Sequence, residues 1–483
     1  MESSTAKGLD PIPCSLFPGT IPPMKRGVVA GVCGAAVLVG LMLAFSAVRQ
    51  EREFRRLVAA GDAALTRDQT FEAIEDFSGA LALRRDSMLA HLKRGDSYRR
   101  RGELTAALRD LRRASTLDPT APRPLELLGD VNSAMGRYEQ AASDYRRYLA
   151  LDDRAPRVLY KLALAHYRQG QVTLALDPAR RAVALDDRMV EAHYLLAMCL
   201  HDRQRDAEAL RSLARAVQLD PAFGPAREEL ATLNLALGKT RDGVDQLEAL
   251  AALEPGRPDR LVNLALAHAG LGSVDVAIAT LGRAAERYPD SELVGIARGR
   301  MWLDLADPGG DEIAIRNALD AVRPFATRAN ASSEALTLYG RILMRSDDVE
   351  GSERALERAT AALPAEPDAF LQLSVAAERG GHVEVARNAL ARFITLDGDG
   401  AHRRGLAAHA ADLSLKMNDP AGAVSWGRSA LEPDGPDPAV LATIADAQIR
   451  LGQIDAARAT IAEGLAHDPA HRALLDLRRK IGV

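Results

Sequence analysis

Three short motifs in this chain contain residue types that could do chemistry. Gly309-Gly310-Asp311-Glu312-Ile313 places two carboxylates after a flexible turn, where they could bind a metal ion. Gly238-Lys239-Thr240 has the residues that end a phosphate-binding loop. His166 and His268 stand at equivalent places in two similar stretches, and imidazole can bind metals. Each motif has to be tested against the elements that would position it.

The sequence around each motif argues against chemistry. The first motif is similar to the signature of diguanylate cyclases, but that site needs an α/β domain, and helical patterns flank the motif here. We predict a helix break followed by an acidic helix start. The phosphate-binding loop would need a glycine at position 233, where Leu233 stands. His166 and His268 are predicted to pack in the core.

No other catalytic or metal-binding pattern stands out. The chain has no His-Glu-x-x-His, Cys-x-x-Cys or Gly-x-Ser-x-Gly sequence. Its cysteines are too far apart for a disulfide framework or, alone, a zinc site: Cys14, Cys33 and Cys199. An enzyme would need a site in residues 292–366, around Asp311, Glu312 and Asp320, where no convergent set is visible. We therefore predict no catalytic, cofactor-binding or metal-binding residues.

The composition points to packed helices. Aromatic residues make up only 4% of the 483 residues, while alanine, leucine and arginine are abundant. Hydrophobic residues at 47% and charged residues at 27% exclude a disordered or a polytopic chain. The net charge of −4 gives no general reason to expect nucleic-acid binding.

An apolar segment lies near the start of the chain. Residues 27–48 form 22 positions without a charge, and a helix of that length can cross the ~30 Å hydrocarbon core of a bilayer. We expect a transmembrane helix at 27–48, preceded by a short leader at 1–26. A cleaved signal peptide stays open, because Ala44-Phe45-Ser46 could be a cleavage site. Translation could also start at Met24 rather than Met1.

Basic residues flank this segment on both sides: Lys7, Lys25 and Arg26 before it, and Arg49, Arg52, Arg55 and Arg56 after it. The positive-inside rule therefore discriminates little between the two orientations. We expect a single-pass protein of a bacterial inner membrane, because the chain is rich in alanine and arginine. The bulk of the chain is expected on the periplasmic rather than the cytoplasmic side.

Beyond residue 53 the chain repeats with a period of 34 residues. Prolines or aspartates recur at this spacing: Pro119, Asp153, Asp187, Pro221, Pro255 and Pro289. Small residues form one series at Gly61, Gly95, Gly129, Ala163, Ala197, Ala231 and Ala265. A second series lies twelve positions later, at Ala73, Ala107, Ala141, Ala175, Ala209, Gly243 and Ala277. Glycines between the two series include Gly102, Gly136, Gly170, Gly238 and Gly272.

This spacing predicts pairs of helices. Each unit has two apolar-periodic helices of roughly 13 residues, separated by the glycine turn. Small residues allow helix axes to approach to about 8 Å. One such hairpin cannot bury its own apolar face, whereas stacked hairpins can.

These positions resemble the tetratricopeptide repeat, a 34-residue helix-turn-helix module. The resemblance implies an all-α, right-handed α-solenoid of about twelve repeats. We place seven regular repeats at 54–291 and an irregular, repeat-like segment at 292–366, with an insertion around 307–310. Further repeats follow at 367–469, and a capping helix ends the chain at 470–483.

The resemblance also implies a binding face. Such proteins usually hold peptides or protein surfaces on the concave side, which the first helices line. In the fourth and fifth repeats this face is expected to include Arg157, Tyr160, Tyr167, Arg168, Tyr194, Met198, His201 and Asp202. Tyrosine with arginine is typical of binding hot spots. The alternative is that these tyrosines only cover the edge of the core.

Earlier first helices have a different character. Some family members hold chaperone C-termini with a clamp of Lys, Asn and Arg. The clamp positions here hold Val58 with Asp62, Leu92 with Asp96, and Glu126 with Asp130, which disfavours that ligand. The row Asp62, Asp96 and Asp130 predicts an acidic stripe that either attracts a basic segment or is simply solvated.

Taken together, these patterns predict a membrane-anchored scaffold or adaptor that mediates protein–protein interactions. Envelope biogenesis or a secretion-type assembly is the expected setting. The expected partners are proteins or peptides and the lipid bilayer, without nucleic acid, cofactor or small-molecule substrate. A regulatory subunit that controls a membrane-associated enzyme or its turnover is the second hypothesis, and an enzyme is the third.

Overall fold

A computed structural model describes residues 26–306, 311–396, 400–431 and 437–482, with only the backbone given at 26–34, 36 and 400–402. Within these ranges the chain forms 25 α-helices and no β-strand. The prediction of an all-α helical repeat is therefore confirmed. The chain divides into two compact units, Met1–Leu219 and Asp220–Val483.

The described residues of the first unit form five helical hairpins. Their helices are α1 (Arg26–Thr66), α2 (Thr70–Leu83), α3 (Met88–Arg100), α4 (Leu104–Leu117), α5 (Pro122–Ala134), α6 (Tyr138–Leu149), α7 (Pro156–Arg168), α8 (Val172–Leu185), α9 (Val190–Asp202) and α10 (Asp206–Leu219). Odd-numbered helices are the first helices of their hairpins, and even-numbered helices are the second.

The described residues of the second unit form seven hairpins and a final helix. The first four hairpins are α11 (Gly224–Ala236) with α12 (Thr240–Leu253), α13 (Pro258–Gly270) with α14 (Val274–Arg287), α15 (Glu292–Ala306) with α16 (Glu312–Ala326), and α17 (Ser333–Arg345) with α18 (Val349–Ala361). The remaining helices are α19 (Pro367–Arg379), α20 (Val383–Leu396), α21 (Gly400–Lys416), α22 (Pro420–Ala430), α23 (Pro438–Arg450), α24 (Ile454–His467) and α25 (Arg472–Lys480).

The two small-residue series lie where the helices of a hairpin pack. A Cβ atom added at Gly129 would lie 2.3 Å from the ring of Tyr145, so the close contact requires glycine. Tyr145 is only 2% exposed, and it belongs to a cluster that also contains Val158 and Leu162 of the next hairpin. Each hairpin thus completes its core with its neighbour, as the repeat pattern predicts.

Aspartates stop the second helices of the first unit. The helix α4 ends at Leu117, and Asp118 Oδ1 then accepts a hydrogen bond of 3.0 Å from the backbone N–H of Thr120. The same bond recurs in the next two loops, from Arg154 to Asp152 and from Arg188 to Asp186. A short acidic side chain that satisfies the backbone two residues later is a stable way to leave a helix.

The predicted membrane segment and the first repeat share one helix. The helix α1 runs from Arg26 to Thr66 without a break, because neither proline nor glycine separates residues 48 and 54. In the part of the chain that the structure describes, no helix is long and apolar enough to cross a membrane. The leader, apart from the helical backbone at Arg26, and the predicted insertion at 307–310 lie outside the described residues.

The last helix covers the end of the second unit. Leu474 of α25 is fully buried against Ala445 of α23 and Ile461 of α24. Leu477 and Ile481 pack against the same cluster. Burial of these side chains gives the final hairpin the apolar neighbour that a repeat needs.

Candidate protein-interaction surface

Tyrosines of adjacent first helices form a partly exposed patch in the first unit. Tyr160 lies on α7 and Tyr194 lies at the equivalent position of α9, and both are half-buried. Tyr160 packs against a cluster that contains Leu159 and Ala192. Burial raises the pKa of the Tyr160 phenol, and the negative charge of Glu191 raises it further. The phenol is therefore neutral and available as a hydrogen-bond donor at physiological pH.

Tyr167 joins the same two helices through a polar contact. Burial raises its pKa to about 12, and the Asp202 carboxylate of α9, which accepts its hydrogen bond, contributes as well. Tyr194 and Cys199 of α9 are close enough to affect the same phenol electrostatically. The structure thus brings Tyr160, Tyr167 and Tyr194 onto neighbouring helices. We call these three tyrosines, with Met198, the tyrosine patch.

The remaining predicted residues lie around this patch. Met198 is half-buried on α9, whereas Arg157 is exposed in the first turn of α7. Arg168 lies over the ring of Tyr138, with 5.7 Å between the guanidinium carbon and the ring centroid. The Nδ1 atom of His201 lies 2.8 Å from Asp206 Oδ1. Arg168 and His201 therefore contact second helices as well as bordering the patch.

The three aspartates of the predicted acidic stripe have cations of the same unit as neighbours. Asp62 pairs with Lys93 of the next hairpin. Asp96 pairs within its own helix with Arg99, at 2.7 Å, and with Arg100. Asp130 lies 2.9 Å from Lys161 Nζ and also accepts a hydrogen bond of 2.8 Å from Tyr145. Much of the stripe's charge is thus balanced internally.

Sequence reasoning missed the lysines of this ladder. Lys93 and Lys161 each stand 31 residues after the aspartate that they contact, which is one repeat less about one helical turn. Position 127, which stands 31 residues after Asp96, is a leucine, so Asp96 pairs within its own helix. The spacing of opposite charges at 31 was the available signal.

Glu126 belongs to the same ladder. Its carboxylate lies 2.7 Å from Lys161 Nζ and also pairs with Arg123. Burial alone would raise the pKa of Glu126, but the hydrogen bonds and charges of Lys161 and Arg123 outweigh it and lower the pKa below its ordinary value. The first-helix face of this unit therefore combines balanced charges with the tyrosine patch.

A cleft marks the first-helix face of the second unit. Its volume is about 530 Å³, and it lies between α11 and α13, with Thr232, Leu235, Asn263 and Leu266 among the lining residues. Thr232 and Leu266 follow Met198 at successive intervals of 34 residues. The repeat pattern could therefore have pointed to this cleft, but the predicted site ended at His201.

The motifs considered for chemistry have structural roles. Asp311 caps α16 by accepting hydrogen bonds from the backbone N–H groups of Ile313 and Ala314, as a predicted helix start requires. Gly309 and Gly310 lie outside the described residues. Gly238 adopts a φ of +73° in the turn before α12. His166 is buried, with Nδ1 2.9 Å from Gln171 Oε1. No cluster of metal-binding side chains occurs in the described part of the chain.

These observations define a helical-repeat protein whose first helices carry an aromatic, partly exposed surface. Profiles of the tetratricopeptide repeat match residues 95–136, 122–154, 229–292, 337–401 and 414–481. A profile described as anaphase-promoting complex, cyclosome, subunit 3, matches residues 145–216. The chain is therefore a tetratricopeptide-repeat protein, and such repeats typically mediate protein–protein interactions.

Solved repeat structures share the fold at low identity. YrrB, described as a TPR protein with an unusual peptide-binding site, is 22% identical, with a TM-score of 0.35 over 38% of this chain and 94% of its own. Pseudomonas aeruginosa pilF is 19% identical, with a TM-score of 0.37 over 45% and 97%. Yeast Tom70 is 12% identical, with a TM-score of 0.40 over 78% and 99%. No curated protein matches the chain in sequence.

Proposed function

We propose that this protein is an adaptor that binds a protein or peptide partner through the tyrosine patch. The carrying observation is that Tyr160, Tyr167 and Tyr194 lie half-buried on two adjacent first helices. Such side chains are already ordered, so binding costs little further conformational entropy, and their phenols can donate hydrogen bonds to a partner. The exposed Arg157 beside them can contact an acidic group of that partner.

A double substitution tests this surface. Tyr160→Ala with Tyr194→Ala should weaken partner capture at least tenfold, because hot-spot tyrosines each contribute about 1–2 kcal/mol or more. The matched control is Phe71→Ala with Leu174→Ala, which truncates side chains that are 58% and 55% exposed on second helices. Capture that is unchanged in the tyrosine variant, measured by quantitative co-purification with circular dichroism as a folding check, would reject the patch.

The membrane anchor at residues 27–48 is part of the same proposal. Supporting it, the large apolar side chains of α1 between Val37 and Val48 are 51–75% exposed. An isolated helix that is apolar on all sides gains stability by entering lipid. Extraction of membranes with sodium carbonate tests the anchor, since release of the full-length chain into the soluble fraction would contradict it.

The proposed location is a bacterial inner membrane, with the repeats in the periplasm. Alkaline phosphatase fused after Val483 should be active, and a reporter that works only in the cytoplasm should be inactive. The opposite pair of results would place the repeats in the cytoplasm. Envelope biogenesis or a secretion-type assembly then predicts co-purification with several structural subunits. Recovery of a single enzyme or protease would instead favour the regulatory-subunit hypothesis.

A further inference from the structure

The loop after α2 has a charge opposite to that of the loops after it in the first unit. It reads Leu83-Arg84-Arg85-Asp86, whereas the equivalent loops begin Leu117-Asp118-Pro119, Leu151-Asp152-Asp153 and Leu185-Asp186-Asp187. Two arginines thus replace an aspartate and a proline or second aspartate. All four loops follow a second helix, so the difference is not explained by their place in the repeat.

The exchange gives up a local stabilising contact. Asp118, Asp152 and Asp186 each accept a hydrogen bond from the backbone two residues later, and an arginine side chain cannot accept one. Arg84 instead pairs with Glu51 and lies over the ring of Phe54, at 4.7 Å from its centroid. A departure from the local pattern at one loop is the kind of irregularity that marks function.

Contacts between α1 and α2 place this loop beside the end of the apolar segment. The Nε2 atom of Gln50 donates a hydrogen bond of 2.8 Å to the carbonyl oxygen of Leu83. At 1.5 Å per residue, Gln50 lies about 3 Å along α1 beyond Val48, the last apolar residue of the segment. The headgroup layer on each side of a bilayer is about 5–7 Å thick. A bilayer that ends at Val48 therefore has its headgroups at the level of Leu83, Arg84 and Arg85.

Several cations at this level are available to an external anion. Arg49, Arg52 and Arg85 are exposed, and they form no ion pair among the described residues. The nearby acids are Glu51 and Glu53, which already pair with arginines: Glu51 with Arg55 and Arg84, and Glu53 with Arg56. The level next to the apolar segment therefore has a net positive charge.

We propose that Arg49, Arg52, Arg84 and Arg85 form a basic collar that contacts anionic lipid headgroups and seats the first hairpin on the membrane surface. This inference rests on the proposed anchor at residues 27–48. It adds that no linker separates the anchor from the repeats, since α1 is continuous. Arginines near an anionic surface each favour binding, and their effect adds to that of the apolar segment.

Fluorescence quenching from the lipid headgroups tests the collar with the full-length chain. A fluorescent residue replaces Ala82, which is exposed near the loop, or Arg67, which lies at the opposite end of the first hairpin. Thr66 is about 27 Å along α1 from Val48. In vesicles of phosphatidylcholine with phosphatidylglycerol, a headgroup-attached quencher should quench the probe at 82 strongly and the probe at 67 weakly. Equal quenching at both positions would overturn the proposal.

Charge variants then separate the collar from the anchor. Arg84→Gln with Arg85→Gln should lower the population in headgroup contact on the order of tenfold, because each arginine contributes to binding at an anionic surface. The matched control, Arg154→Gln with Arg188→Gln, removes the same charge from later loops and should leave the quenching unchanged. An equal loss in both variants would overturn a specific collar.

A further variant guards against misfolding. Arg84→Asp with Arg85→Pro copies the later loop sequence, so it should keep the helical circular dichroism and still lose the headgroup contact. Retained quenching in this folded variant would overturn the collar. Flotation of the same vesicles reports on the anchor separately. Protein that floats without quenching at position 82 contradicts only the collar, whereas protein that fails to float contradicts the anchor and the collar together.

Discussion

The two units begin their helices in different ways. In the first unit, prolines stand at the start of α5 and α7, and aspartates such as Asp118 close the preceding loops. In the second unit, side chains cap many helices directly: Asp311, Ser332, Asp348, Asp419 and Asp437. The second unit is also where the 34-residue spacing drifts. Local capping can therefore define a helix start where the repeat spacing no longer does.

The ion pairs between hairpins differ as well. In the first unit Lys161 is 28% exposed and contacts Glu126 and Asp130. In the second unit Arg260 is 3% exposed and contacts Glu228 at 2.8 Å and Glu254 at 2.6 Å. A guanidinium can satisfy two carboxylates while its stem packs in the core, so the second unit uses a buried cation where the first uses an exposed one.

The largest expected effect comes from the core of the first unit. Tyr145→Ala should destabilise that unit by about 3–5 kcal/mol, because it empties a fully buried site beside Gly129. Tyr145→Phe should cost only about 1 kcal/mol, since it removes the hydrogen bond to Asp130 alone. Urea unfolding followed by circular dichroism measures both. Similar losses in the two variants would mean that the hydroxyl, rather than ring packing, stabilises the hairpin.

The buried and exposed ion pairs should separate next. Arg260→Ala should cost about 2 kcal/mol through lost packing and two lost ion pairs. Lys161→Ala should cost less than about 1 kcal/mol, because water screens the pair. Thermal unfolding of the two single variants makes the comparison. A larger loss for Lys161→Ala would contradict the distinction drawn between the units.

Acidification should affect the lysine ladder in a defined direction. Because Lys161 and Arg123 lower the pKa of Glu126 in the folded state, this carboxylate stabilises the fold above its unfolded pKa. That contribution is lost as the pH falls through the lowered folded pKa, so the wild type should lose more stability than Glu126→Gln in this range. Urea unfolding at a series of pH values checks this. Parallel pH profiles would exclude a contribution from Glu126.

The smallest effects should come from the turns. Gly170 has a φ of +73° and Gln204 has a φ of +58° in equivalent turns. Gly170→Ala should destabilise by about 1 kcal/mol, and Gln204→Gly should stabilise by about 0.5 kcal/mol, because the left-handed region disfavours a side chain. Urea midpoints report both signs. Destabilisation by Gln204→Gly would mean that chain entropy outweighs the relief of strain there.

Much of the fold could be predicted from the sequence, because it depends on periodic residue types. The glycine at 129 and the tyrosine at 145 recur at repeat positions, and they meet in the structure as expected. Asp311 was likewise predicted at a helix start. These features depend on local pattern and on contact between neighbours, both of which a repeat makes visible.

The site was less accessible from the sequence. Tyr160 and Tyr194 could be aligned by their spacing, but the pairing of Asp62 with Lys93 depends on how far one helix is displaced along the next. The cleft beside Asn263 depends on the shapes of several side chains at once. The charge reversal at Arg84 is visible in the sequence, but its place beside Gln50 emerges only from the folded hairpin.

Photo-crosslinking tests the central claim most directly. A photoreactive residue at Met198 lies in the tyrosine patch, whereas one at Leu174 is exposed on the second helix α8. The account predicts that position 198 crosslinks to a specific partner, that position 174 does not, and that Tyr160→Ala with Tyr194→Ala abolishes the product. A partner that crosslinks equally from both positions, or one that is retained in the tyrosine variant, would contradict binding through the first helices.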